Sequence, residues 1–191
     1  MGVKPRRTIR FVLFTGEEQG MWGLAGYVKR HAAELTHHDA AVIFDTGSGR
    51  TTGFFLSGRE DLRTPLEKAL SGVAGLGVAE NPPDALDGTD NFDFLLSGVP
   101  NLVAKQDAIP YLPDYHAESD TFDRANQREA QANAAIATAL VWRLADDPER
   151  FGRRLTHAQV EKQITDTKLD IQMRAFGQWD DWTAGRRGVS Q

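Results

Sequence analysis

Thr8-Ile9-Arg10-Phe11-Val12-Leu13-Phe14-Thr15-Gly16-Glu17-Glu18-Gln19-Gly20 begins as an apolar run and ends in two adjacent carboxylates between glycines. A short run rich in aromatic and β-branched residues, closed by Gly16, predicts a buried strand. Glu17 and Glu18 then stand at its carboxyl end, the end where open α/β sheets bind ligands. Neighbouring residues of extended chain point to opposite sides. One glutamate can therefore hold a metal while the other faces a water. The alternative is a solvated pair opening a helix, where acids suit the dipole.

The pattern recurs downstream. Ala40 to Phe44 predicts a second buried strand, ending in Asp45-Thr46-Gly47, although an aspartate there also suits a plain turn. Pro100 to Ala104 predicts a third. After it a loop from Lys105 to Asp123 carries Tyr115-His116 and Asp120-Thr121. Loops of that length inside a domain are often functional. His116 should share the sheet edge with Glu18 and Asp45, and Asp120 lies near enough in sequence to orient its ring. His37-His38-Asp39 precedes a strand, away from its carboxyl end, and reads as solvated loop.

Between these runs, helical spacing predicts helices over Met21 to Leu35, Leu62 to Val73, Asn91 to Leu96 and Arg124 to Asp146, the last capped by Asp123. Gly53 to Ser57 reads as a short strand. The composition shifts near residue 150. The domain reading is 1–150 for an α/β body and 151–191 for a helical extension. One helix over Thr156 to Ala175 is expected there, with a Thr156/Gln159 capping box. Trp179 and Trp182 should pack back onto the body.

The chain has 191 residues, enough for one sizeable core, and a net charge of −5, which argues against a nucleic-acid binder. With no cysteine, any metal must be held by His, Asp or Glu. No apolar run is long enough to span a bilayer. The start, Met1 to Arg7, is basic but lacks the apolar core of a signal peptide. There is no P-loop, G-x-S-x-G or H-E-x-x-H motif. Glu18, Asp45 and His116 offer zinc ligands and Glu17 a base for an attacking water.

Phe14-Thr15-Gly16-Glu17-Glu18-Gln19-Gly20, Phe44-Asp45-Thr46-Gly47, Gly88-Thr89-Asp90, Gly98-Val99-Pro100 and Tyr115-His116 with Asp120-Thr121 stand in a telling order. Over residues 8 to 145 the chain resembles the zinc exopeptidase family that contains bacterial leucyl aminopeptidases and carboxypeptidase Q, above all its carboxypeptidase Q-like branch. The resemblance implies a three-layer α/β/α sandwich with a mainly parallel or mixed sheet. It implies Glu17 as general base, Glu18 and His116 as ligands of one zinc, and Asp45 as a ligand of a second. Asp90 falls in a motif near the family's active site and Asp120 beside His116, as supporting or substrate-contacting groups.

The resemblance further implies a peptide or dipeptide substrate, allows a homo-oligomer, and suggests a periplasmic or secreted location. The family also draws a histidine and a bridging aspartate from upstream of the Glu-Glu strand, and no such pair stands here. The expectation is therefore the C-terminal part of a longer enzyme, its sheet incomplete on the N-terminal side and the isolated chain inactive. A related deacylase or cyclase, or a non-catalytic interaction domain on the same scaffold, is the alternative.

Overall fold

The computed structural model describes residues 4–189; Met1 to Val3, the beginning of the basic start, lie outside them. The chain runs α1 (Trp22–Arg30), β1 (Ala41–Ile43), β2 (Thr51–Phe55), α2 (Arg63–Leu70), α3 (Phe92–Leu96), β3 (Asn101–Gln106), α4 (Gln127–Asp146), α5 (His157–Asp166), α6 (Leu169–Ala175) and α7 (Gln178–Thr183). Short 3-10 turns extend α1 and flank α2. No helix among the described residues is long and apolar enough to cross a membrane.

The sheet is mixed, in the order β1-β3-β2. β1 lies parallel to β3, with Ala41 opposite Asn101 and Ile43 opposite Val103. β2 is antiparallel to β3. The parallel pair sends both carboxyl ends, hence Asp45 and the loop after Gln106, to one edge.

Two apolar clusters hold the molecule. Phe54, Leu56, Leu102 and Ala104 of the β2–β3 region meet Leu66 and Leu70 of α2 and Ile136 and Leu140 of α4. Leu24 and Val28 of α1 meet Phe92 to Leu96 with Val160, Ile164, Met173 and Trp182 of the last three helices. The tail tryptophans thus pack onto the body as expected, Trp182 donating its indole N–H to Leu96 O at 3.2 Å.

Four expectations need correcting. Ile9 to Phe14 belongs to no strand, and Phe11 and Leu13 are more than nine-tenths exposed. A strand needs a partner to form a ladder with, and none pairs with this segment among the described residues. What anchors it is Tyr27, to whose Oη Arg10 Nη1 donates at 2.7 Å and whose ring the Phe14 ring meets edge-on. Asp39 is not a solvated loop residue: it pairs with Arg150 at 3.0 Å and accepts from Phe151 N. The α4 cap is Asn126, whose side chain accepts from Arg128 N and Glu129 N, while Asp123 is engaged by Thr121 Oγ1.

The helix expected over Thr156 to Ala175 is two. The capping box forms, but the chain breaks at Lys168, φ +61°. Thr165 and Thr167 send their hydroxyls back to Glu161 O and Gln163 O, a bond that loosens a helix.

Leu140 is fully buried between α4 and the sheet. Leu140→Ala is expected to cost about 3 kcal/mol, measured as a shift in the urea midpoint with unchanged slope.

Candidate active site

The two glutamates sit in a closed turn rather than on a strand end. Gly16 takes φ +68°, and Gly20 N and Met21 N both donate to Glu17 O at 2.8 Å. Trp22 N then donates to Gly16 O and Gly23 N to Thr15 O, so the turn passes directly into α1. The Trp22 ring lies against Gly16 and Gly20 yet is 69% exposed.

The Asp45 loop is pinned from below. Thr46 Oγ1 donates to Ala104 O at 2.8 Å, and Gln106 Nε2 donates to Gly47 O and Gly49 O. Asn133, buried on α4, donates to Gly49 O and accepts from Thr51 N, both at 2.8 Å. Gly47 has φ +105°, and a Cβ there would strike the Tyr111 ring at 2.7 Å. Only glycine lets the β1 turn and the β3 loop meet so closely.

From that loop His116 is presented with φ +54°, uncommon for a residue with a side chain. Its ring stacks on Tyr115 at 3.9 Å. Its Nε2 lies 3.0 Å from Glu18 Oε2, both side chains more than half exposed.

The electrostatics tie the other acids to this contact. The Glu17 carboxyl is raised above the ordinary range, first by burial, then by Asp45, Glu18 and Asp90, with His116 pulling the other way. Asp90, just before α3, is pushed up to about 6 by burial and by Asp45 and Asp93. Its Oδ1 is buried without a hydrogen-bond partner in the described structure.

Sequence pattern does not single out Tyr111. Burial, Tyr115 and the nearby carboxylates Asp45, Glu18 and Asp120 push it up to about 12. The one signal for it is a ring between Pro110 and Pro113 in a long loop. Tyr111 and Asp120 also line a cavity of about 280 Å³ with Gly47 and Phe122.

Glu17 thus feels Glu18, Asp45, Asp90 and His116 electrostatically, and Glu18 and His116 touch. Among the described contacts His116 meets Glu18 rather than Asp120. No group of three or more His, Asp or Glu side chains is close enough to surround an ion among the described residues. The donor chemistry nevertheless suits a divalent cation, with an imidazole–carboxylate pair, further acids repelling one another nearby, and an acceptor oxygen lacking a partner.

Carboxylates beside an imidazole, with Asp45 and the His116 loop leaving the carboxyl edge of a mixed sheet, make a candidate site for acid–base hydrolysis or cation binding. The model of Peptidase family M28 matches residues 1–141, and the chain belongs to that family. It is 28% identical over 153 residues to carboxypeptidase Q of Rattus norvegicus and of Homo sapiens, covering 80% of this chain and 32% of each relative. The crystal structure of a Peptidase M28 precursor from Shewanella amazonensis SB2B superposes with a TM-score of 0.73 at 30% identity, over 81% of this chain and 35% of that one. The chain thus spans about a third of the length of these relatives.

Asp90 gives a pH dependence with a definite sign. Its folded pKa of about 6 lies above the ordinary 3.8, so the folded state binds its proton more tightly. That stabilisation is complete below about pH 4 and is lost as pH rises through about 6. Asp90→Asn is therefore expected to change stability little at about pH 4 and raise it near pH 7.5, read as thermal midpoints in chelator at both pH values.

Proposed function

We propose that this chain supplies the general base and part of the cation-binding set of a zinc-dependent exopeptidase acting on dipeptides or the ends of short peptides. The observation that carries the reading is the 3.0 Å contact between Glu18 and His116, with Glu17 held above its ordinary range beside it. Membership of a peptidase family, and the likeness to carboxypeptidase Q, support the reaction class.

In this reading Glu18 and His116 hold one zinc and Asp45 contributes to a second. When bound, zinc polarises the scissile carbonyl and acidifies a water. Glu17 takes the proton of the attacking water and hands it to the departing amine. A carboxyl destabilised by burial and by like charges is a better base near neutral pH than a free glutamate. Asp90 and Asp120 line the approach, as supporting or substrate-contacting groups. Tyr111 stays neutral and closes the side next to Asp45.

In this reading the fold is a three-layer α/β/α sandwich, and donors beyond Glu18, His116 and Asp45 would complete the cation set. The 191-residue chain by itself is expected to bind zinc weakly and to turn over little peptide.

Zinc titration calorimetry tests the donor roles without recourse to turnover. Glu18→Ala and His116→Ala should each weaken zinc binding at least about tenfold, whereas Glu17→Gln should stay within about twofold of wild type. In a zinc-loaded enzyme with a complete donor set, Glu17→Gln should lower dipeptide hydrolysis by about 10²–10⁴-fold. Equal zinc affinity for wild type and His116→Ala would sink the assignment.

A further inference from the structure

Arg187 stands far beyond the residues matched to the family, in the segment after α7, yet it reaches the turn that carries the glutamates. Its Nη2 donates to Gly20 O at 3.2 Å. The same guanidinium grips Asp93 of α3, Nε donating to Oδ1 and Oδ2 at 3.2 and 3.1 Å and Nη2 to Oδ2 at 3.0 Å. It also lies over the Phe92 ring, 4.9 Å from its centroid. Asp93 is 1% exposed and Arg187 14%, so this is a buried pair with its orientation fixed.

The contact to Gly20 is surplus to docking the tail. That task already falls to Arg154, which donates to Ser97 O and Val189 O, to Val189 N on Ser97 Oγ, and to Trp182 on Leu96 O. Gly188 N on Asp93 Oδ1 adds to it. At Gly188, φ +69°, a Cβ would strike Leu96 Cβ at 2.9 Å, so the tail approaches α3 as closely as glycine permits.

What Arg187 adds is a bridge between two segments of the site. Gly20 closes the turn onto Glu17 O, and Asp93 lies three residues beyond Asp90. We propose that Arg187 is a positioning residue for the candidate active site, a strut from the C-terminal tail that sets the Glu17–Gly20 turn against the Asp90–Asp93 segment. Its role at the site rests on the hydrolase reading above; its role as a strut does not.

Hydrogen–deuterium exchange of the 191-residue chain tests it. The double variant Asp93→Asn/Arg187→Met removes both buried charges, keeps an acceptor for Gly188 N and leaves no donor for Gly20 O. The amides of residues 20–23 should then exchange at least about tenfold faster while α4 keeps its protection. Arg154→Ala, which loosens the tail without touching Gly20, should leave residues 20–23 within about twofold of wild type. Wild-type exchange at 20–23 in the folded double variant, or equal acceleration by Arg154→Ala, overturns the strut.

Should the double variant fail to fold, Arg187→Lys takes its place in the same comparison: faster exchange at 20–23 supports the strut and wild-type exchange overturns it. Zinc affinity separates positioning from mere support. The double variant should lose about tenfold and Arg154→Ala should not, and an unmoved affinity overturns the role at the site. If no form binds zinc, the hydrolase reading fails while exchange still decides the strut.

Discussion

Ala41–Ile43 runs in the same direction as Asn101–Val103, hydrogen-bonded along three residues, and the chemistry of the chain depends on that pairing. Parallel strands leave the sheet at the same edge. Asp45 leaves from one, and the loop that presents His116 leaves from the other. An antiparallel arrangement would have sent them to opposite edges. The pairing is short, so it is reinforced where it ends. Thr46, Gln106 and Asn133 bond the Asp45 loop to β3 and to α4, and Gly47 lets Tyr111 close over it.

Gathering acids at that edge has an electrostatic cost that the fold does not remove. Asp45 bears on Glu17 and on Asp90, and Asp93 bears on Asp90 as well. The structure meets this unevenly. Asp93, deepest of the group, has a guanidinium against it, yet burial still holds its carboxyl above the ordinary range; Glu18 has an imidazole; Glu17 and Asp90 are raised with no cation against them. Perturbed carboxyls of this kind, clustered beside an imidazole, mark a candidate functional site.

Much of this was legible in the sequence because it depends on local pattern. An apolar run ending in a carboxylate and a glycine turn marked β1 and its Asp45, and a plain apolar run marked β3 and its following loop. Apolar spacing marked α1 and α2, a glycine stop marked α3, and an alanine-rich run marked α4. What the pattern could not carry was partnership. Ile9 to Phe14 has the composition of a strand, but composition does not provide a neighbouring strand to bond to. Asn126 took the α4 cap from Asp123 because Thr121 claims that aspartate. Thr165 and Thr167 divided the tail helix through bonds to their own backbone. Tyr111 and Arg187 were invisible for a related reason: each matters through a residue dozens of positions away.

Trp22 has a consequence of its own. Of the four tryptophans, Trp182 is sealed in the tail cluster beside His157, and Trp142 and Trp179 are partly covered, whereas Trp22 is largely in water against Gly16 and Gly20. A solvated indole emits toward longer wavelengths than a buried one. The red side of the protein's fluorescence therefore looks onto the glutamate turn, and the molecule carries its own optical gauge of whatever settles there.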